Sequence, residues 1–452
     1  MSFESDLLTK KRCLEIFQAV EQAAARAGIK DLEAMLSATD DSLTRFANNA
    51  IHQNVSERSG SLSVRVVIDS KTARATTNRL HRDGIQAAVD EAIALTKASE
   101  PLDLQPLFSD PTPTASDHVS NAAIACGPAE RAQGVANAIR IVKSQGHSAA
   151  GIYANALNVE ALLNSRGVFR YYVDTLTQFS ITASAEDSSG WAKATSAVHE
   201  QVEPERLAKR AADKATLSAK PSDLVAGKYT VVLKPAAVLD LVGQMVGDFS
   251  GTALSDQRSF LNDRLHQQLF GTNIQIVDDA HHWLQSGAPF DGEGMLRQPL
   301  SLVKDGVPIQ LAYSRASAAL AGVEPTGHGF PLPNEAGESP VNIVIAGGDK
   351  SIDQLIASTD NGILVTRLWY IREVEPYDKV MTGMTRDGTF LIRNGELAGG
   401  VRNFRFNQSI IEMLRNVEAM SPTQRASGEE AFDMAVPAMK VRDFGFTETT
   451  KF

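Results

Sequence analysis

One stretch, Asn361 to Asn407, restricts the fold of this chain more than any other: NGILVTRLWYIREVEPYDKVMTGMTRDGTFLIRNGELAGGVRNFRFN. Ile363 to Ile371 alternates and is rich in β-branched residues, so it reads as a strand. Asp387-Gly388 and Asn394-Gly395 are dipeptides that accept positive φ and close tight hairpins, which leaves Thr389 to Arg393 as a short strand between them. An antiparallel meander is expected. From Tyr229 onward the pattern is mainly short strands and turns, broken by a helix at Ala236 to Met245 and a second at Leu254 to His266. The expected class is α+β, with a β-rich antiparallel C-terminal domain.

The N-terminal half carries an internal echo. A helical pattern (Arg12 to Ala27) leads to strands around Leu43 to Val55 and Ser61 to Ile68, then Lys71 to Thr77, then a helix from Asp83 to Lys97. The order recurs as helix Glu130 to Gln145, strands Ala149 to Leu163, Val168 to Ala185 and Trp191 to Ala197, and helix Glu203 to Ala219. Ser63-Val64 corresponds to Ser180-Ile181, and Thr72 to Ala75 corresponds to Ser189 to Ala192. Either one α+β unit is duplicated and the copies share one antiparallel sheet, or two amphipathic layouts are alike by chance. Between them, Glu100 to Thr114 (EPLDLQPLFSDPTPT) holds four prolines and cannot be helix, so it reads as an extended connector. A second break falls at Lys220 to Lys228. The expected units are 1–114, 115–223 and 224–452.

With 452 residues, 43% of them hydrophobic, the chain can fill two or three sizeable cores. No apolar run approaches the roughly 18 residues of a membrane span. The start, MSFESDLLTKKRCLEIFQAVEQ, lacks an apolar segment before a small-residue cleavage site. Two cysteines, Cys13 and Cys126, are too few and too far apart for a disulfide framework, which favours a reducing cytoplasm. The net charge of -10 bears on nucleic acid. A DNA-binding face needs clustered cations, and the one tight cluster, Lys10-Lys11-Arg12, reads as a solvated helix end, so direct DNA binding is disfavoured.

Four blocks, in order, carry a resemblance: FANNAIHQNVSERSGSLSVRVVIDSKTARATTN (Phe46 to Asn78), PFDGEG (Pro289 to Gly294), TGHG (Thr326 to Gly329) and GGDKSIDQLI (Gly347 to Ile356), with the Asn361 to Asn407 meander behind them. Together they resemble the TldD/PmbA family of bacterial and archaeal metalloproteases, once called modulators of DNA gyrase, and most closely its TldE (PmbA) side. The resemblance covers nearly the whole chain. It implies a zinc helix early in the C-terminal domain, where the catalytic subunits carry HExxxH, and a late cysteine as a further ligand. Counted back from Gly247-Asp248-Phe249, the histidine positions are Val238 and Gly243 and the glutamate position is Leu239. None can ligate zinc or move a proton, and no cysteine follows Cys126. The resemblance therefore implies no metal in this chain and zinc in a TldD-type partner.

Other constellations carry side chains able to ligate a metal or move a proton. Asp278-Asp279-Ala280-His281-His282 could bind a transition metal, but adjacent strand residues face opposite ways, and a polar loop after the apolar strand Ile274 to Val277 is the plainer reading. His199-Glu200 lacks a second histidine at helical spacing and reads as a surface pair. His328, flanked by glycines, is the one candidate general base; no partner can be assigned to it, and the alternative is a turn residue. In the strand Val365 to Arg372, alternation puts Arg367 and Trp369 on one face and Tyr370 and Arg372 on the other. That pattern fits a partner interface or the wall of a peptide groove; amphipathic packing with the arginines reaching water fits as well.

The expected function is a noncatalytic TldE-like subunit that completes a chamber with an HExxxH-bearing partner and admits unstructured peptide. The alternatives are a homodimeric peptide-binding scaffold and a metal-independent hydrolase built on His328.

Overall fold

The computed structural model describes residues 8–102, 105–114 and 118–450. Residues 1–7 of the opening segment, and Asp103 and Leu104 of the connector, lie outside the described residues. Helix α1 (Lys10–Arg26) begins where the Thr9 hydroxyl accepts from Arg12 N at 3.1 Å, and its stripe of Cys13, Ile16, Phe17, Val20, Ala23 and Ala24 is buried. Strands β1 (Asp31–Ala47), β2 (Ala50–Ile68) and β3 (Lys71–Thr77) follow, then α2 (Arg82–Ala98). The second unit has a short α3 (Asn121–Ala125), α4 (Pro128–Ser144), β4 (Ser148–Asn164), β5 (Phe169–Ser184), β6 (Ser189–Ser196) and α5 (Pro204–Leu217).

These six strands form one antiparallel sheet in the order β3-β2-β1-β4-β5-β6. The order is a mirror about the β1–β4 seam, and the pairing repeats with it. Ala34 pairs with Val64 and Val64 with Ala75; Gly151 pairs with Ile181 and Ile181 with Ala192. The segments matched by sequence thus occupy the same register, and the duplicated layout is a property of the fold. One element differs from expectation. Leu43 to Val55 is not a single strand, because Asn48 and Asn49 both take positive φ (50° and 62°) and turn β1 into β2. Asparagine tolerates that conformation better than other non-glycine residues. Described residues of the connector run extended along the second unit: Arg170 Nη1 donates to Thr112 O at 2.6 Å and Tyr171 N to Thr114 Oγ1 at 3.1 Å.

In the C-terminal half, β7 (Gly227–Leu233) lies parallel to the strand Asn361–Glu375. That strand pairs with Val380–Arg393, which pairs with Phe404–Ser409, which pairs with Met439–Thr449, which returns to β7. Five strands therefore close on themselves. Alternation sorts their side chains: Val231, Leu233, Ile363, Val365, Phe404 and Phe406 join one core, while Val232, Leu364, Phe390 and Ile392 join another against Leu355 and Ile356. Helix α6 (Pro235–Val242) is buried in the first core. A second sheet of six shorter strands packs beside this ring.

Two local expectations are corrected. Asn394-Gly395 is a turn, with φ of 51° and 78°, but Asp387-Gly388 is not. Val365 pairs with Thr389 and Arg367 with Arg386, so Asp387 and Gly388 together face one residue, Thr366, as a bulge inside a long strand. The helix expected at Leu254 to His266 is also absent. Only Gly251–Ser255 is helical; Gln257, Asp263 and His266 take positive φ, and Ser259 and Asn262 bond to backbone instead.

Candidate functional site

Three places bear on function. The first is α6. Val238 and Leu239 are fully buried, and a side chain at Gly243 would run into Ala431, with Met434 Cε 3.3 Å away. Pro235 to Val246 offers neither histidine nor glutamate, so this helix does not fit zinc. Its one titratable residue, Asp240, points to the loop 428–430, where Oδ1 accepts from Glu429 N at 3.2 Å and Glu430 N at 3.0 Å. Its Oδ2 is buried without a hydrogen-bond partner among the described residues, and burial above all pushes the carboxyl up to about 7. Asp240 went unnoticed in the sequence because a lone aspartate in an apolar helix resembles a surface residue.

The second is His328. The side chain is buried, and both ring nitrogens are engaged: Nδ1 with Thr326 Oγ1 at 3.0 Å and Nε2 with Asp278 Oδ1 at 3.1 Å. Asp278 Oδ2 accepts from Val341 N at 2.6 Å and Asn342 N at 2.8 Å. Burial pulls the Asp278 carboxyl upward, but His328 and the Asn342 amide outweigh it and hold it below the ordinary range. The acidic partner that the sequence could not assign is thus Asp278, the first residue of the Asp278 to His282 cluster; His281 and His282 sit in the turn that follows. A histidine with both nitrogens engaged, one of them by a buried carboxylate, cannot take a substrate proton without first breaking this pair. Nearby, Asp291 of PFDGEG accepts from Glu293 N, Met295 N and, at 2.7 Å, Gly329 N, which ties that block to TGHG. Glu293 beside it is pushed up to about 7 by burial and then by Asp291, with Oε1 unpartnered. Of these residues, His328, Asp291 and Gly329 line a cavity of 560 Å³ between the first sheet and the C-terminal half.

The third is the aromatic strand, which does not present one surface. Arg367 is buried: its Nε donates to Asp387 at 2.9 Å, and its guanidinium lies 4.7 Å from the Trp191 ring of β6. Ser189 Oγ also donates to Asp387, at 2.6 Å. Arg367 therefore joins the second unit to the C-terminal half and is not available to a partner. Trp369 lies at the rim of this joint, 4.9 Å from Arg386. Tyr370 takes positive φ (57°), which breaks the alternation and turns its ring outward, 55% exposed. Arg372, also exposed, stacks on it at 4.4 Å. Of the four residues, Tyr370 and Arg372 stand together in solvent, and Trp369 and Arg367 do not join them.

Among the described residues, one group could gather a metal: ligand atoms of Cys126, Glu130 and His199 lie within 4.8 Å of one another. His199, read from sequence as a surface pair with Glu200, is half-buried, and its Nδ1 bonds Thr177 Oγ1 at 3.1 Å. Both cysteines are free and buried. No helix among the described residues is long and apolar enough to cross a membrane.

Comparison with known proteins matches three family models in order: PmbA/TldA metallopeptidase domain 1 over residues 32–96, the central domain over 119–219, and the C-terminal domain over 226–448. The chain belongs to the TldD/PmbA metallopeptidase family. It is 24% identical over 313 residues to the metalloprotease PmbA of Escherichia coli O157:H7, a match covering 67% of this chain and 65% of that relative. The fold is that of a putative modulator of DNA gyrase from Thermotoga maritima (TM-score 0.85, 20% identity, 96% of this chain and 100% of that one). It is equally that of TldE from Thermococcus kodakarensis (TM-score 0.84, 17% identity, 96% and 99%).

Proposed function

We propose that this chain is the noncatalytic, TldE-like subunit of a zinc-dependent peptidase of the TldD/PmbA family, acting on unstructured peptides in the cytoplasm with a TldD-type partner that supplies zinc, HExxxH and the water-activating glutamate. The observation that carries this reading is α6. Its Val238, Leu239 and Gly243 stand where the resemblance puts two ligands and a base, and the packing around Gly243 leaves no room for an imidazole. The similarity to a TldE structure supports the same side of the family. Extended peptide offers unpaired backbone groups, and an open sheet edge such as that of β2 can take them without reading side chains. The hydrolase alternative built on His328 is weakened by its buried pairing with Asp278.

Metal analysis of the purified chain tests this directly. Zinc well below one per chain is expected. Zinc that is lost in a Cys126→Ser variant would sit at the Cys126 group and leave the reading intact; about one zinc per chain that survives the substitution would overturn it.

A further inference from the structure

A second cavity, 390 Å³, lies where α5 of the second unit faces the start of α6. It runs against the charge of the molecule. The chain as a whole is net -10, yet Arg210, Lys214 and Lys234 all line this cavity, and none makes an ion pair among the described residues. Lys214 Nζ donates only to the Trp191 carbonyl, at 2.5 Å. The carboxylates that act on these cations, Asp387 on Lys214 and Asp353 on Lys234, do so from a distance. Other cations on the wall are already matched, Arg206 with Glu203 at 2.9 Å and Arg425 with Asp433 at 3.2 Å. The unmatched three repel one another. Burial first, and then the neighbouring cations, lowers Lys214 well below the ordinary range, and burial and then Arg210 bring Lys234 down to about 8.

Two further features face the same space. Lys234 is the N-cap of α6 and makes no side-chain cap, so the first turn of that helix, with Pro235 and Ala236 on the cavity wall, keeps its positive end open. Thr366, 2% exposed, also lines the cavity, and its Oγ1 has no hydrogen-bond partner among the described residues. A buried hydroxyl left unsatisfied beside three unmatched cations and a helix N-terminus is costly in an empty pocket and complementary to an anion with several acceptor oxygens.

We propose that this interdomain pocket binds a small, doubly charged oxyanion of the phosphate class, either inorganic phosphate or the phosphoryl group of a small phosphate ester, and that the bound anion braces the second unit against the C-terminal half. The site does not depend on the peptidase reading. Titration calorimetry and thermal melts of the full chain with inorganic phosphate, with glycerol phosphate and with chloride at matched ionic strength test it. Saturable binding and a raised melting temperature are expected with phosphate, with the ester, or with both, and not with chloride; which of the two binds more tightly identifies the source. Lys234→Met and Arg210→Gln should each weaken binding about tenfold or more. Lys234→Met should at the same time leave the melting temperature of the ligand-free chain unchanged or higher, since it removes an unmatched cation. Absence of saturable binding by both phosphate compounds, or equal affinity in wild type and both variants, would overturn the proposal.

Discussion

The two α+β units of the N-terminal half share a register but spend their outer edges differently. In the second unit the connector lies along β5, where His118 bridges to Asp174 and Tyr171 N donates to Thr114. Its β6 then bears on the C-terminal half through Ser189 to Asp387, Trp191 under Arg367, and Lys193 Nζ to Gly428 O at 2.8 Å. Gly190 lets α5 pack closely against this strand, because a side chain there would strike the Ala211 carbonyl and Lys214 Cβ of α5. In the first unit, β3 covers β2 only from Leu62 onward, and Ala50 to Gly60 has no second neighbour among the described residues and is largely exposed. A duplicated sheet has two such edges. Here one is consumed inside the chain and the other is left open, guarded by polar residues such as Gln53, Ser56 and Arg58.

The largest effect expected from this contrast is at the buried joint. Arg367→Ala should cost about 3–5 kcal/mol in denaturant unfolding, because it leaves the buried Asp387 with only the more distant Arg386, at 3.6 Å, as a cation. Arg74, which links β3 to Leu332 O, shares Glu33 with Arg65; its removal leaves Glu33 with Arg65 at 3.0 Å and should cost about 1 kcal/mol. Equal costs at the two sites would mean that both edges are structural.

A smaller effect is expected at Asp240, which fixes the loop that receives Lys193. Its carboxyl sits near 7 in the fold against about 4 when unfolded, so its contribution is complete below about pH 4 and is lost as the pH rises through about 7. Asp240→Asn should flatten that part of the stability profile and leave the variant more stable than wild type by about 1–3 kcal/mol at pH 8. Thermal melts at several pH values check the sign; a variant less stable at pH 8 would place the charge, not its burial, in control.

The open edge should yield the smallest change in stability and the clearest change in association. Consecutive strand residues send their N–H groups to opposite sides, so of Ser56→Pro and Glu57→Pro one removes a bond to β1 and the other only an outward donor. The second variant should fold within about 1 kcal/mol of wild type and lose affinity for partner or peptide. Unchanged binding in both pull-down and titration would show that the β2 edge is not used.

Much of this was legible in the chain because local chemistry decides it. Period and turn residues point to most helices and strands of both units, and the correspondence of Ser63-Val64 with Ser180-Ile181, which by itself leaves duplication and chance open, agrees with the register of the sheet. What escaped depends on distant neighbours. Asp387-Gly388 has the composition of a hairpin turn, and only the position of Arg367 across the sheet makes it a bulge. Tyr370 breaks an alternation that its sequence continues, as its amide bonds Glu430 Oε1, sixty residues on. His328 found Asp278 across fifty residues, and the cavity of Arg210, Lys214 and Lys234 draws on two domains. The absence of histidine and glutamate from α6 needed only the sequence.

The most direct test of the account is a peptidase assay with an unfolded substrate such as casein, run on this chain alone, on a TldD-type HExxxH subunit alone, and on the two combined. The account predicts no cleavage by this chain, and EDTA-sensitive cleavage by the combination that exceeds that of the HExxxH subunit alone. EDTA-insensitive cleavage by this chain alone, abolished by His328→Ala, would contradict it.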